Sequence, residues 1–287
     1  MRFSAIIHAM TFAGQDTLSL PEACATLREC GFNAVMLMSI PGRPALRADR
    51  VPDACLLDLA NSDLDAVRRI VANEGLEIVG LYCSGVDPGT ADTFEASVAN
   101  LREGARVARE LGCHHLGRGG GRSPSPGLAA EAKLPLVQRL ARIVDAVAAE
   151  YDEMLFAVDA HYRGVIESIA DCERYIGELN APRGGILLNT GHMTTCGQNG
   201  WELIERWPER VPVIGWKDHR PDPEGKLPFL SVELGTGDTR LDCYVETARG
   251  QHTDRVHVIN VEQVAMAEKA AALGASLRHM RSLSDGT

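Results

Sequence analysis

The stretch Ile186-Leu187-Leu188-Asn189-Thr190-Gly191-His192 is a short apolar run that ends in a cluster of polar side chains. Three more apolar runs in the second half of the chain end in the same way, in the clusters Val158-Asp159-Ala160-His161, Lys217-Asp218-His219-Arg220 and Asn260-Val261-Glu262. An unpaired charge is costly inside a protein, so four buried strands with such ends predict one polar site built by several strands. Carboxylates together with imidazoles indicate a divalent metal, acid–base chemistry or both.

The wider chain alternates short apolar runs with amphipathic segments. Helix, glycine and short apolar strand follow one another at Gly31-Phe32, Gly75-Leu76 and Gly112-Cys113, which is typical of βα units in a parallel sheet. Strands are predicted at 3–8, 33–38, 77–83, 113–118, 154–159, 185–189, 212–217 and 256–261. Eight such units predict an α/β fold, a (β/α)8 TIM barrel formed as a single domain by residues 1–287. A doubly wound sheet is the rival, but no GxGxxG motif follows the first strand.

The composition restricts the binding partners and the cellular compartment that we expect for this protein. The formal charge of -10 disfavours nucleic acid and anionic membranes as the main partner, although a local cationic cluster could still bind an anionic substrate. The eight cysteines form no CxxC pair and lie in apolar patterns, which predicts free thiols in a reducing cytoplasm. No apolar run approaches the roughly 20 residues of a membrane helix, and the N-terminal run is too short for a signal peptide. We therefore expect a cytoplasmic protein.

The strand ends resemble those of the xylose isomerase-like superfamily of TIM barrels, which includes sugar isomerases, sugar epimerases, inosose dehydratase and endonuclease IV. Residues 186–192 (ILLNTGH) are similar to the family's Asp-Thr-Gly-His strand end, and residues 214–220 (IGWKDHR) to its His-x-Lys-Asp end. Gly235-Thr236-Gly237-Asp238 resembles a glycine-rich segment of the family, and the run VINVE resembles the strand that delivers its last glutamate. The resemblance covers essentially the whole chain and implies the same barrel.

The resemblance also implies a divalent ion bound by Glu, Asp, His and Glu from strands five to eight. The corresponding residues in this chain are Asp159, Asn189, Gly215 and Glu262. Only Glu262 is unchanged. Asp159 is a shorter carboxylate, Asn189 has no charge and Gly215 has no side chain. His219, just beyond the same strand as Gly215, could replace the missing histidine. We expect Mn²⁺, Mg²⁺, Co²⁺ or Zn²⁺, bound more weakly than by a fully anionic site. The expected metal ligands are Asp159, Asn189, His219 and Glu262; a barrel that has lost its metal is the alternative.

Further roles follow from the same clusters. The predicted catalytic residues are Asp159, Glu262 and His192, the last because the family's histidine at this position contacts substrate. The predicted substrate-binding residues are His8, His161, Lys217 and Arg220. The structural alternative for the two cations is an ion pair with Asp218 or Asp222. For the two carboxylates it is a helix N-cap at Asp159 and a first-turn glutamate at Glu262.

These residues predict an isomerase, an epimerase or a dehydratase-type lyase that acts on a sugar, polyol or keto-sugar. The shared step is removal of a proton next to a carbonyl, while a metal or another cationic group polarises the carbonyl oxygen. Asn189 and Gly215 keep a second hypothesis open, a non-catalytic sugar-binding subunit of a heteromeric complex. An endonuclease IV-like phosphodiesterase is disfavoured by the acidic charge and the few ligands. We expect a small carbohydrate as partner and, from the resemblance, a homo-oligomer.

Overall fold

The computed structural model describes residues 1–7, 18–40, 55–84, 93–121, 127–251 and 254–286. The strands in these ranges are β1 (Phe3–Ile6), β2 (Ala34–Ser39), β3 (Glu77–Cys83), β4 (His115–Gly119), β5 (Leu155–Ala160), β6 (Gly184–Asn189), β7 (Val213–Trp216), β8 (Asp218–Arg220), β9 (Leu230–Val232) and β10 (Val256–Ile259). The α-helices are α1 (Leu20–Glu29), α2 (Leu64–Asn73), α3 (Phe94–Glu110), α4 (Ala130–Ala148), α5 (Ile169–Glu178), α6 (Thr190–Thr195), α7 (Trp201–Arg206), α8 (Leu241–Arg249) and α9 (Met266–Asp285).

Eight of the strands form a closed barrel in the order β1-β10-β7-β6-β5-β4-β3-β2, and every neighbouring pair is parallel. Helices lie between consecutive barrel strands, as the alternating pattern predicts. The predicted (β/α)8 barrel is therefore confirmed. None of the described helices is long and apolar enough to cross a membrane.

Glycines end the first three helices, as the sequence pattern indicates. Gly31, Gly75 and Gly112 follow α1, α2 and α3 with φ angles of 94°, 68° and 79°. Only glycine adopts this left-handed conformation without a steric cost, so each of the three turns the chain out of a helix and toward the next strand. All eight cysteines are free, and five of them are buried, in agreement with the predicted free thiols.

Side chains that face the barrel interior follow the two-residue period of the strands. Asp159 and His161 line the same interior cavity, and so do Lys217 and Glu262. Gly117 lies on the inner side of β4, where an added Cβ would approach Tyr82 and Leu187 to 3.0 and 3.2 Å. Its missing side chain leaves room for the ring of Tyr82, which projects into the cavity from β3.

Two elements differ from the predicted pattern. Helix α6 begins at Thr190, directly after β6, so His192 lies in a first helical turn rather than on a strand end. A two-stranded antiparallel hairpin, β8–β9, follows β7, and it carries Asp218, His219 and Arg220. Periodicity did not predict these elements because they are only three to six residues long.

The structural alternatives for the two carboxylates are wrong. Helix α5 begins at Ile169 with Ser168 as its N-cap, so Asp159 caps no helix. Helix α9 begins at Met266, four residues after Glu262, so Glu262 is not in its first turn. Asp159 instead lies at the end of β5, Glu262 lies three residues after β10, and both line the interior cavity.

The carboxylate of Asp218 holds the loop after the hairpin. It is fully buried and accepts hydrogen bonds from the backbone N–H groups of Gly235, Gly237 and Thr239 at 2.8–2.9 Å. A Cβ on Gly237 would lie 2.3 Å from the Asp218 carboxylate, so glycine is required at this close approach. The glycine-rich segment thus has a structural role: it wraps a buried carboxylate that needs several donors to offset its desolvation.

Replacing Asp218 should therefore destabilise the protein strongly. Asp218→Ala leaves three N–H groups without their acceptor, two of them in part-buried and one in a buried hydrogen bond, and we expect a loss of about 3 kcal/mol in the free energy of unfolding, measured by urea denaturation. Asp222→Ala is the matched control, because Asp222 also accepts three backbone N–H groups, but in a surface turn. Equal losses in the two variants would contradict this account of Asp218.

Candidate active site

A cavity of about 160 Å³ lies inside the barrel at the carboxyl ends of its strands. Its floor is apolar and includes Ile6, Met36, Leu187, Val213 and Val258. Its polar lining consists of Tyr82, Asp159, His161, Asn189, Lys217, Asn260 and Glu262. A second cavity of about 580 Å³ shares Tyr82, Asp159 and His161 with the first and is lined further by Gly119, Gly120 and Gly121. The strand ends of β5, β6, β7 and β10 thus form one site, as the four polar clusters predict.

The strongest polar contact in the inner cavity is an ion pair between Lys217 and Glu262. Lys217 Nζ lies 2.6 Å from Glu262 Oε1, and the lysine side chain is only 6% exposed. The same Oε1 accepts a hydrogen bond of 2.8 Å from Asn260 Nδ2. Lys217 does not pair with Asp218, whose carboxylate is held by the glycine-rich segment, so the ordinary ion pair considered for Lys217 is replaced by one inside the cavity.

Asp159 presents one carboxylate oxygen to the cavity. The hydroxyl of Tyr82 donates to Asp159 Oδ2 at 3.1 Å. Burial, together with the nearby Asp159 carboxylate, raises the pKa of Tyr82 well above its ordinary value, so the phenol stays protonated and remains a donor. Asp159 Oδ1 is buried and has no hydrogen-bond partner within the described part of the chain. A buried carboxylate oxygen without a donor is available to a ligand or to a proton.

Two amide oxygens share this condition. Asn189 Oδ1 and Asn260 Oδ1 are buried, and neither has a hydrogen-bond partner among residues 1–7, 18–40, 55–84, 93–121, 127–251 and 254–286. Both side chains line the inner cavity. Together with Asp159 Oδ1 they make three unpartnered acceptors on side chains that line one cavity, and hydroxyl groups of a polyhydroxylated ligand are suitable donors for them.

The rings of the predicted histidines His161, His192 and His219 pack against one another beside the cavity. His161 lines both cavities, and its ring lies over that of His192 with the centroids 3.7 Å apart. His192 is only 1% exposed and lines neither cavity, and its Nε2 lies 3.5 Å from Lys217 Nζ. His219 packs in parallel against Phe229 at 4.0 Å, while its Nδ1 bonds to Thr195 Oγ1 at 2.8 Å. His192 therefore reaches the cavity through Lys217 and His161 rather than directly.

His192 and His219 are both held in the neutral form. Burial, and secondly the positive charge of Lys217, lowers the pKa of His219 to about 3. The same two causes lower the pKa of His192 well below its ordinary value. Close packing fixes the site of His219, because a Cβ on Gly191 would lie 2.5 Å from its ring. Neutral imidazoles can accept hydrogen bonds from an ammonium group, as His192 does from Lys217.

The remaining predicted substrate-binding residues lie elsewhere. Arg220 is exposed at the end of β8 and lines neither of the two cavities. His8 lies outside the described residues. Sequence reasoning did not select Tyr82 and gave no role to Asn260 of the fourth polar cluster, although the two-residue alternation along β3 is a signal for Tyr82. Asn260 directly follows β10, two residues before Glu262, and both side chains line the inner cavity.

Two buried lysines hold the backbone around the site. Lys269 of α9 donates to the backbone carbonyls of Val261 and Glu262 at 2.9 and 2.6 Å, and burial lowers its pKa to about 8. Lys133 of α4 lies 3.0 Å from Asp171, next to the loop that follows His161. These contacts fix the chain on both sides of the cavity, and neither was predicted, because both lysines occupy positions that read as ordinary helix surface.

The donor set does not fit a tightly bound divalent ion. Among the described residues, no three His, Cys, Asp or Glu side chains come together as a metal site. His219 is directed at Thr195 and Phe229 and lines neither cavity, and Glu262 is already paired with Lys217. This leaves one carboxylate, Asp159, and neutral amide oxygens, whereas hard divalent ions are held by several anionic oxygens. The predicted metal remains a prediction that this geometry does not favour.

Comparison with known families agrees with the barrel and its strand ends. The sequence profile described as "Xylose isomerase-like TIM barrel" matches residues 24–283. The chain belongs to this family. No curated protein sequence matches the chain.

Solved structures of similar fold have several activities. The apo 3-keto-D-glucoside 4-epimerase YcjR from E. coli is 14% identical with a TM-score of 0.70, over 98% of this chain and 99% of that one. The probable 3-DHS dehydratase AsbF from Bacillus anthracis is 15% identical with a TM-score of 0.72, over 99% of each chain. The IOLI protein with a bound zinc atom is 12% identical with a TM-score of 0.72, over 100% of this chain and 99% of that one. At these identities the likeness establishes a shared fold.

The neutral histidines predict a specific loss of stability in acid. The unfolded chain binds a proton at His219 below its ordinary pKa of 6.5, whereas the folded protein does so only near 3, so the free energy of unfolding should fall as the pH drops through this window. The contribution is about 1.4 kcal/mol per pH unit. His219→Gln should flatten the slope between pH 6 and 4 by roughly that amount, measured by urea denaturation, while the exposed-site variant His114→Gln should not. An unchanged slope in His219→Gln would contradict the assignment.

Proposed function

We propose that this protein is an isomerase, epimerase or lyase that removes a proton next to the carbonyl of a sugar or keto-sugar. One observation carries the proposal: Asp159, whose Oδ1 is buried and without a partner among the described residues, lines the same small cavity as the Lys217–Glu262 ion pair. Proton abstraction from carbon needs a positioned base and a positive charge near the oxygen on which negative charge develops. A candidate base, Asp159, and a positive charge, Lys217, line the same cavity.

Asp159 is the candidate base. Tyr82 orients the carboxylate by binding Oδ2, which leaves Oδ1 for a C–H proton. When Oδ1 takes this proton, the C–H electron pair forms a carbon–carbon double bond and the carbonyl π electrons move to the oxygen, giving an enediolate. The Tyr82 phenol can donate to Oδ2 before and after the transfer, so it keeps the carboxyl group oriented.

Glu262 is the candidate second acid or base. It lies three residues after β10, and β6 and β7 separate β10 from the β5 strand of Asp159 around the ring. A substrate between them would present different faces to the two carboxylates. Proton return from the Glu262 side would invert a carbon centre, whereas loss of a β-hydroxyl from the enediolate would give a lyase product. The cavity supports the shared first step, and the second step decides among isomerase, epimerase and lyase.

A keto-sugar with several free hydroxyl groups suits the inner cavity. Its apolar floor can contact a ring face, and the acceptors Asp159 Oδ1, Asn189 Oδ1 and Asn260 Oδ1 can bind hydroxyl donors. One of the similar folds belongs to an epimerase named for a 3-keto-D-glucoside. This supports the choice of keto-sugars as the first substrates to test.

Solvent deuterium exchange tests the proton abstraction directly. We expect the wild-type protein to exchange the proton next to the carbonyl of at least one member of a keto-sugar panel in D₂O, followed by NMR. Asp159→Asn should slow the exchange by about 10²–10⁴-fold, because it removes the base while keeping the side-chain shape and the Tyr82 contact.

The control separates catalysis from binding. Asp152→Asn changes a carboxylate on the surface turn before β5 and should leave the exchange rate unchanged. Ligand affinity of Asp159→Asn, measured by calorimetry, should stay within about tenfold of the wild type. Binding of a panel member without exchange by the wild type would contradict the enzymatic proposal and favour the sugar-binding subunit, which the replaced ligand positions Asn189 and Gly215 motivate.

A further inference from the structure

We propose that the ammonium group of Lys217 takes the place of a divalent cation in this barrel, so that the protein polarises its substrate carbonyl without a metal. The inference rests on the proposed proton abstraction and deepens it, because it assigns the positive charge that the reaction needs. It starts from the Lys217–Glu262 pair and from the two neutral residues beside it, Asn189 and Gly215.

The ammonium group of Lys217 lies where a divalent ion bound to Glu262 would lie. Lys217 Nζ lies 2.6 Å from Glu262 Oε1 and faces the inner cavity together with Asp159 and Asn189. A divalent ion bound to Glu262 would lie about 2.0–2.2 Å from a carboxylate oxygen. The ion and the ammonium would then compete for one carboxylate in a site shielded from water, where repulsion between like charges is strong.

Charge balance is the second argument. Asp159, Glu262 and Lys217 together carry one net negative formal charge in the lining, and His192 and His219 line neither cavity. A divalent ion added to this set would leave an excess positive charge next to the ammonium group. Lys217 thus already supplies one of the two positive charges that the two carboxylates could neutralise, and too little negative charge remains for a divalent ion.

The geometry of the ammonium group is the third argument. Among the described residues, Glu262 Oε1 and His192 Nε2 accept from Lys217 Nζ, at 2.6 and 3.5 Å. An ammonium group has three N–H bonds, so one remains for an oxygen in the cavity. As Asp159 takes the C–H proton, the substrate carbonyl gains negative charge, and this N–H donates to it. No oxidant, reductant or leaving group is required for this step.

Gly215 is a position at which a metal ligand can be introduced, to test whether Lys217 holds the place of the ion. It lines the cavity, and an added Cβ would lie 3.3 Å from Leu187 Cδ2 and 3.9 Å from atoms of Asn189, so a side chain fits beside Asn189 once the Leu187 side chain shifts by a few tenths of an ångström. Asn189→Asp with Gly215→His adds one carboxylate and one imidazole next to Asp159 and Glu262. If Lys217 holds the place of the ion, these ligands should become effective only when its charge is removed.

Mn²⁺ binding, measured by electron paramagnetic resonance and calorimetry, is the first test and needs no substrate. We expect no stoichiometric uptake by the wild type, weak uptake by the double variant N189D/G215H, and at least tenfold tighter binding by the triple variant N189D/G215H/K217M. Adding Lys226→Met instead, at an exposed lysine, should not tighten binding over the double variant. Stoichiometric, micromolar uptake by the wild type, equal affinity of the double and triple variants, or no binding by the triple variant would each overturn the proposal.

Turnover provides the second test on the substrate identified by exchange. The metal-free wild type, dialysed against EDTA, should keep its rate, and Lys217→Met should lose about 10²–10³-fold in kcat while keeping its fold by circular dichroism. Lys217→Arg, which retains the charge, should recover part of this loss. Loss of activity in EDTA that Mn²⁺ restores would overturn the role of Lys217 and leave the proton abstraction intact. Absence of any exchange would overturn the proposed function, and the Mn²⁺ measurements would still decide which cation the site holds.

Discussion

Closure of eight parallel strands into a ring is the constraint on which the site depends. Once the ring is closed, side chains two residues apart on a strand face the same side, so the identity of every cavity residue is set by the register of its strand. Asn189 pairs in register with Gly215, and Gly215 with Val258, which places the two replaced ligand positions side by side. Neither position could regain a charged side chain without changing the lining of the same small cavity.

Burial of the Lys217 ammonium beside the partly exposed Glu262 is costly, and the surroundings of the pair offset that cost. Asn260 donates to the same oxygen of Glu262, His192 accepts from the ammonium, and Lys269 binds the backbone carbonyl of Glu262. A buried ion pair by itself is weak evidence for stability, because desolvation can exceed the attraction between the charges. Its retention inside a cavity with unpartnered acceptors is better explained by a functional requirement for a fixed positive charge.

The sequence was sufficient for the barrel and for most of its inward carboxylates. The recurring order of helix, glycine and strand and the eight apolar runs predict the fold, because each βα unit has its own local sequence signals. Partners within the site could not be predicted, since Lys217 and Glu262 are 45 residues apart and meet only across neighbouring strands. The position of His219 also depends on a three-residue strand, which is too short to give a periodic signal.

The hairpin connects the stability of the fold to the chemistry of the site. Asp218 fixes the glycine-rich segment, and the next residue, His219, packs between Phe229 and the backbone of Gly191. His219 in turn contacts the ring of His192, with the centroids 4.9 Å apart, and His192 accepts from Lys217. This continuous series of packed groups lies beside the ammonium of Lys217, which is buried and lines the cavity. A lysine held in this way retains a directed charge without a metal, because the low-dielectric wall strengthens its interaction with an oxygen on the open side.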